Sequence, residues 1–357
     1  MSPLFVPGAV DVAPRILAAQ AKPMLPHRSE EFEAIFHRAV HKAKFLFDTE
    51  QHIFLAASAG SGMQEASIRN FISDAVLCCV NGVFADRWHQ IAETNQKQAV
   101  RLESVWGHEV SADQLANALH KRHFDAVTIV HNESSTGVMS NIGDLAAVVH
   151  SISPDTLILV DVISSLGGVE INMDAWGIDF MFSATQMCLG LPPGLSLAAV
   201  SERALSHAKT IPDRGWYFDL IRMQKHMQSD STHSAIGIPL VYALDAQLER
   251  VQEEGLENRF VRHAAMAELF QSWAVENDMP PLASEGSRSK TVSVIQNSMK
   301  WEFQELNSFL KQRGMQIADG LNILKGETFR VAHMGEITMS DIEDLITAME
   351  TFIAHQK

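Results

Sequence analysis

The stretch that decides the fold is residues 156–168, TLILVDVISSLGG, near the middle of the chain. Its first seven residues form an apolar run without polar alternation, which predicts a β-strand covered on both faces. Asp161 stands at the carboxyl end of this run, where α/β proteins place their ligand sites. A carboxylate that caps the next helix is an equally weighted alternative. The Ser-Ser-Leu-Gly-Gly sequence at 164–168 favours the ligand site.

Similar apolar runs occur on both sides of this strand, and amphipathic helical patterns such as 63–72 and 112–121 separate them. Strands that alternate with helices predict an α/β domain around a mainly parallel sheet. The other predicted strands are 52–58, 75–81, 126–132, 180–184 and 196–201.

The pattern changes near residue 239, where residues 240–276 predict one long helix or two. A smaller α+β domain should follow: a strand at 291–296, a helix at 300–313, strands near 315–318 and 328–333, and a last helix from about 341. Ser340 and Glu343 have the spacing of a capping box for that last helix. We therefore predict an N-terminal arm (1–25), a large α/β domain (26–238) and a small C-terminal domain (239–357).

The composition limits the classes of function. The chain has 357 residues, with 28 Lys and Arg against 43 Asp and Glu, so its formal net charge is −15. This balance opposes general binding to nucleic acids or anionic membranes, because such binding needs clustered cations. No apolar run reaches 18 residues, and the N-terminus lacks the basic segment of a secretory signal. The cysteines (Cys78, Cys79 and Cys188) lack zinc spacing, which predicts reduced thiols, a cytoplasmic protein and no metal site.

Two further features could carry chemistry. Residues 59–62, AGSG, follow a predicted strand and open a predicted helix, and the backbone N–H groups of such a turn suit a phosphate. Taken alone, a tight turn that needs glycine is the more common explanation, and the Gly-Lys-Ser/Thr of a P-loop is missing. Arg330 precedes a short apolar strand and could hold a carboxylate with its planar fork, although a lone strand arginine is usually solvated or ion-paired.

A series of short motifs runs along nearly the whole chain in one order. They are Pro7-Gly8, PHRSEEF at 26–32, the glycine turn at 58–62, NGVF at 81–84, HNESSTGV at 131–138, the stretch from Asp161 to Gly168, GID at 177–179, PPGLS at 192–196, EGLE at 254–257 and the Arg330 strand. Together they resemble the class V aminotransferases of the pyridoxal-phosphate fold type I group, most of all alanine–glyoxylate and serine–pyruvate aminotransferases. The resemblance implies a mainly parallel, seven-stranded type of sheet flanked by helices, pyridoxal 5'-phosphate as cofactor, and a homodimer.

The resemblance also implies site residues. The implied contacts to the cofactor are Ala59, Gly60 and Ser61 at the phosphate, Phe84 stacked on the pyridine ring, Ser134 at its hydroxyl side, Asp161 at the protonated ring nitrogen, Ile163 on the opposite ring face, and Gln186 near the phosphate. Asp161 would keep the ring an electron sink. Arg330 would bind the carboxylate of the amino acid. We expect Asp161 at the floor of a cleft, with Gly60 and Ser61 at one end.

One position departs from the family pattern. The Schiff-base lysine of the family follows the glutamine in a pattern like S-x-x-Q-K-x-L, and here residues 183–189 read SATQMCL, with Met187 at the lysine position. A thioether can neither form that bond nor move a proton as the amine does. We expect Met187 to point into the cleft, against the cofactor or as an apolar plug. Ala59 also replaces a residue that is often serine, and residues 231–239 only loosely match the segment that reaches the neighbour's phosphate.

Three functional hypotheses follow. The first is an aminotransferase that moves an amino group between a small amino acid (alanine or serine type) and a 2-oxo acid (glyoxylate or pyruvate type). The second is a non-catalytic homologue that acts as a ligand-binding or partner subunit. The third is a lysine-independent enzyme that uses pyridoxamine phosphate and another base. Met187 could be natural or engineered, and any pyridoxal phosphate would be held without a covalent bond.

Overall fold

The structure is a computed structural model that describes residues 3–228 and 231–356. Its centre is a seven-stranded sheet, whose strands are β1 (His52–Ala56), β2 (Ala75–Val80), β3 (Gln98–Glu103), β4 (Ala126–Val130), β7 (Leu157–Asp161), β8 (Phe180–Ala184) and β9 (Ser196–Val200). The strand order is β1-β9-β8-β7-β4-β2-β3; β9 is antiparallel to both of its neighbours, β1 and β8, and the other adjacent strands are parallel. The predicted α/β fold with a mainly parallel sheet is confirmed.

The central strands are buried on both faces, as their uninterrupted apolar runs predicted. Separate hydrophobic clusters cover the two sides of the sheet, so that Ile158 and Val160 of β7 pack on one side while Leu157 and Leu159 pack on the other. The edge strand β3 is not predicted by the sequence pattern. Its sequence QAVRLE exposes every second or third side chain to solvent, and it therefore has no apolar run.

Helices on both sides of the sheet account for much of the rest of residues 3–228. They are α1 (Pro14–Gln20), α2 (Glu30–Phe47), α3 (Gly60–Phe71), α4 (Val83–Thr94), α5 (Ala112–Leu119), α6 (Ile142–Ile152), α7 (Met173–Trp176), α8 (Glu202–Ala208) and α9 (Leu220–Met227). A two-stranded hairpin, β5 (Asn132–Glu133) and β6 (Val138–Met139), follows β4. The predicted helices at 63–72 and 112–121 correspond to α3 and α5. Among the described residues, no helix combines the length and apolar character needed to span a bilayer.

The long helical stretch after residue 239 is two helices, α10 (Ile238–Glu254) and α11 (Leu256–Glu276). They part at Gly255, whose φ of 82° is a conformation that glycine adopts without steric cost. A three-stranded antiparallel sheet follows, formed by β10 (Val292–Gln296), β11 (Ala318–Asp319) and β12 (Thr328–Ala332) in the order β10-β12-β11. Its helices are α12 (Phe303–Lys311) and α13 (Met339–Gln356).

The capping box predicted from Ser340 and Glu343 is wrong. Helix α13 begins at Met339, and the reciprocal hydrogen bonds join the residue before it, Thr338, to Asp341. The Asp341 N–H donates to Thr338 Oγ1 (3.3 Å), and the Thr338 N–H donates to Asp341 Oδ2 (2.8 Å). Both pairs have a hydroxyl three residues before an acid, so the spacing alone does not distinguish them.

Candidate active site

A cavity of about 330 Å³ lies at the carboxyl ends of β4, β7 and β8. Nine of the ten predicted site residues line it: Ala59, Gly60, Ser61, Phe84, Ser134, Asp161, Ile163, Gln186 and Met187. The strands end here and α3 and α4 begin here, so residues far apart in sequence meet at one edge of the sheet.

The turn predicted to hold a phosphate is the N-terminus of α3. Ala59 is the residue before the helix and provides no side-chain cap, so the turn presents backbone N–H groups rather than a side chain. Gly60 packs closely against Ile163: a Cβ atom there would lie 2.0 Å from Ile163 Cδ1, so the isoleucine side chain would have to move. This close approach places the Ile163 side chain directly beside the turn. A helix N-terminus that opens into a cavity is a favourable place for an anion.

Asp161 lies in the wall of this cavity with its carboxylate held on both oxygens. The Ile163 N–H donates to Oδ1 (2.9 Å), and the Gln64 amide donates to Oδ2 (3.4 Å). A turn rather than a helix follows β7, so the helix-cap alternative is wrong. Burial raises the pKa of Asp161 to about 7; the nearby Glu133 also raises it, while the two hydrogen bonds and Arg87 lower it. A cationic group bound beside this carboxylate would gain from an uncompensated buried charge.

Phe84, the second residue of α4, projects into the cavity and is fixed from two sides. The Arg87 guanidinium carbon lies 4.8 Å from the centroid of its ring. Glu133 caps α4 from another element: its Oε2 accepts hydrogen bonds from the N–H groups of Phe84 and Ala85, both at 3.0 Å. A Cβ atom on Gly82 would come within 2.4 Å of Glu133, which explains the glycine of the NGVF motif.

The sequence motifs predict no site role for four polar residues in the lining: Gln64, Arg87, Asn132 and Ser164. Asn132 ties the cavity wall together, because its amide donates to Ser164 Oγ and to Thr291 Oγ1, each at 2.9 Å. Its place just after β4, beside the strand that bears Asp161, is a signal that could have identified it. Gln64 and Arg87 lie one turn inside helices, where the sequence gives no comparable signal.

Met187 lines the cavity and is only 6% exposed. It packs among Val10, Val292, Ala332 and other apolar side chains, and a Cβ atom on Gly8 would lie 3.2 Å from its Cγ. None of the described residues that line the cavity is a lysine. The neighbouring Cys188 is buried, its thiol donates to the Ser164 carbonyl (3.0 Å), and burial raises its pKa to about 12, so it stays protonated near neutral pH.

The structure does not bring Arg330 into the lining of the cavity. It lies on β12, two residues before Ala332, so both side chains are on the face that packs toward Met187. Its Nε donates to the Asp319 carbonyl at 2.8 Å. Burial lowers the pKa of Arg330 to about 10, so it remains a cation at neutral pH.

Comparisons with known proteins agree with one another. A family model described as Aminotransferase class-V matches residues 17–345. The chain is 34% identical to an uncharacterized aminotransferase of Methanocaldococcus jannaschii over 93% of this chain and 87% of that protein. It is 30% identical to the L-aspartate–glyoxylate aminotransferase of Paracoccus denitrificans over 94% of this chain and 87% of that protein. Its structure matches that of an aspartate aminotransferase from Thermus thermophilus with a TM-score of 0.92 and 28% identity, covering 99% of each chain.

Proposed function

The chain belongs to the class V aminotransferase family, and on that premise we propose that it binds pyridoxal phosphate or pyridoxamine phosphate without a covalent bond, together with a small amino acid or 2-oxo acid. The observation that carries this proposal is the position of Met187 in the same cavity as Asp161 and the glycine turn. The family resemblance puts the Schiff-base lysine at this position, and methionine has no amine.

The residues present fit such a cofactor. The N-terminus of α3, at Gly60 and Ser61, would bind its phosphate. Phe84 and Ile163 would contact the two faces of its ring, and Asp161, whose pKa is raised to about 7, would accept a hydrogen bond from the ring N–H. When bound, the cofactor supplies an electron sink for bonds at the Cα atom of an amino acid.

The remaining residues would bind the second ligand and exclude water. Arg330 would bind its carboxylate, after a movement that brings the guanidinium to the cavity. Met187, with Val10 and Ala332, forms an apolar wall at the place where family members hold and move a proton. Cys188 cannot take over that role, because its thiol is buried and hydrogen-bonded to a backbone carbonyl.

Amino-group transfer is the second candidate function, and the presence of Asp161 and Arg330 favours it. Relatives of this chain include enzymes named as L-aspartate–glyoxylate and serine–glyoxylate aminotransferases. Under this proposal the amino group would move between a small amino acid such as alanine or serine and a 2-oxo acid such as glyoxylate or pyruvate. Loss of a general acid–base group costs about 10²–10⁴ in rate, so Met187 would leave at most a slow reaction.

The test is a comparison of the unmodified protein with Met187→Lys and, as an apolar control, Met187→Leu. Each is mixed with pyridoxal phosphate, treated with borohydride, passed through a desalting column and digested for peptide mass analysis. We expect a fixed cofactor on the 183–189 segment in Met187→Lys alone, and ready loss of the cofactor from the other two. A cofactor fixed on one particular lysine of the unmodified protein would contradict the proposal.

Activity of the same variants separates the two candidate functions. If Met187→Lys transfers an amino group from alanine or serine to glyoxylate, the rest of the site is competent for transfer. If it binds the cofactor covalently and transfers nothing, the protein is a ligand-binding homologue.

We also propose a homodimer of two-domain subunits in the cytoplasm, with the domains divided near residue 239. Trp216, 56% exposed, and Tyr217, which donates to the Ala57 carbonyl beside the glycine turn, support a subunit contact at this end of the cavity. Sedimentation at micromolar concentration should give about twice the 39.5 kDa mass of the chain; a monomer would refute the proposal.

A further inference from the structure

We propose that Gln64 is a positioning residue that fixes the Asp161 carboxylate and the start of α4 in one frame, so that the cavity prefers a ring with a protonated nitrogen over the same ring with carbon in that place. The inference rests on the proposed cofactor binding. It assigns a role to a residue that none of the motifs contains.

The contacts of Gln64 join three elements. Gln64 lies on α3, one turn beyond the predicted phosphate turn, and only 2% of it is exposed. Its Nε2 donates to Phe84 O on α4 (3.2 Å) and to Asp161 Oδ2 on β7 (3.4 Å). The residues that would bind the phosphate, the ring face and the ring nitrogen are therefore linked through one side chain.

The orientation of the Gln64 amide follows from its surroundings. Its nitrogen faces the Phe84 carbonyl oxygen and Asp161 Oδ2. The carbonyl can only accept a hydrogen bond, and so can the carboxylate when Asp161 is ionised. The reverse orientation would therefore place the amide oxygen against two other oxygens. The other end of the amide, Oε1, has no hydrogen-bond partner within the described part of the chain. A buried amide with an unpaired oxygen is costly, and an apolar side chain would be the cheaper way to fill this space. The presence of a glutamine at this position therefore favours a function for its Nε2 group.

The hydrogen bond acts on the direction and the charge of Asp161. The Ile163 N–H holds Oδ1 and Gln64 holds Oδ2, so the plane of the carboxylate is fixed. Both bonds stabilise the ionised form in a place where burial and Glu133 oppose it. A fixed, ionised carboxylate accepts a hydrogen bond from a ring N–H, whereas a ring C–H offers no comparable donor. Loss of Gln64 should therefore weaken binding of the nitrogen ring selectively.

The test uses pyridoxamine phosphate and its 1-deaza analogue, in which a C–H replaces the ring nitrogen. Neither has an aldehyde, so surface lysines do not interfere. Titration calorimetry gives both Kd values for the unmodified protein, for Gln64→Met, and for Gln271→Met, a control at a buried glutamine outside the cavity lining. We expect Gln64→Met to reduce the preference for the nitrogen ring about tenfold, the usual worth of a hydrogen bond to a charged group, and to leave the Kd of the deaza analogue within about twofold. Gln271→Met should keep the full preference.

Other outcomes overturn the proposal in distinguishable ways. Equal weakening of both ligands by Gln64→Met would show a merely structural role, and an unchanged preference would show that Asp161 needs no support. If the unmodified protein binds neither ligand, the proposed cofactor binding is rejected first and this inference with it. Thermal unfolding establishes that each variant is folded, and Gln64→Leu replaces Gln64→Met if the latter is not.

Discussion

Asp161 shows at the scale of one residue how the fold prepares a site. The strand that carries it is buried on both faces, so its carboxylate is removed from water together with the apolar side chains before it. Two hydrogen bonds compensate only part of this, and burial still raises the pKa of Asp161 to about 7. The protein without cofactor therefore bears a cost at neutral pH that a bound cation would remove.

This cost predicts how Asp161→Asn changes stability with pH. The folded-state pKa of about 7 is above the ordinary value of 3.8. The protonated Asp161 carboxyl therefore makes its full contribution to the free energy of unfolding below about pH 4, and the protein loses this contribution as the pH rises to 7. The variant cannot ionise and does not lose it. Between pH 4 and pH 8, the free energy of unfolding of the variant should rise relative to the unmodified protein by roughly 4 kcal/mol.

Urea unfolding of cofactor-free protein across this pH range measures the difference. The control is Asp213→Asn, at an exposed aspartate, which should follow the unmodified protein at every pH. A pH-independent difference for Asp161→Asn would mean that Asp161 titrates normally in the folded state.

At the scale of elements, three helix starts show three ways in which the first N–H groups of a helix are treated. Helix α3 begins without a side-chain cap and opens into the cavity, while α4 is capped by Glu133 from the hairpin strand β5. Helix α13 lies away from the cavity and has a local box made by Thr338 and Asp341. The first N–H groups of α4 and α13 thus meet side-chain oxygens, whereas the helix proposed to bind a phosphate has no side-chain cap.

The cap of α13 predicts an asymmetry between two neighbouring hydroxyls. Thr338→Ala should lower the free energy of unfolding by about 1 kcal/mol, the usual cost of losing an N-cap. Ser340→Ala should change it by less than about 0.5 kcal/mol, because Ser340 lies inside the first turn. Chemical denaturation with an unchanged m-value checks both. A larger loss for Ser340→Ala would restore the box that the sequence pattern suggested.

At the scale of the whole molecule, Arg259 joins the C-terminal part of the chain to the cavity. It is 2% exposed, and it donates to the Gly167 carbonyl and the Cys188 carbonyl, each at 2.8 Å, while it pairs with Glu254. These carbonyls belong to the turn after Asp161 and the segment after Met187. Helix α11 therefore holds both sides of the site in place.

Removal of Arg259 should strongly destabilise the folded protein. Arg259→Met leaves two buried carbonyl groups without their donor and Glu254 with only Arg262, so we expect a loss of about 3–5 kcal/mol in the free energy of unfolding. Arg122→Met, at an exposed arginine paired with Asp74, should cost less than about 1 kcal/mol. Denaturant midpoints of the two variants give the comparison, and similar midpoints would contradict the role given to Arg259.

The sequence by itself determined the features that depend on neighbouring residues. Apolar runs such as residues 156–162 must be strands buried on both faces, and the ends of parallel strands meet at one edge, so Asp161 and the glycine turn could be expected together. The motifs also predict that Met187 stands at the position of the family's Schiff-base lysine.

Only the tertiary structure decided which side chains meet. The partners of Gln64 and Arg259 come from elements far away in the chain, and no local pattern encodes such a contact. The edge strand β3 carries polar residues because one side of it faces solvent, which removes its apolar signal. Thr338 and Ser340 have the same spacing to an acid, and packing of the apolar face of α13 decides which one precedes the helix. Periodicity is a property of consecutive residues, whereas burial and hydrogen-bond partners are set by how the elements pack.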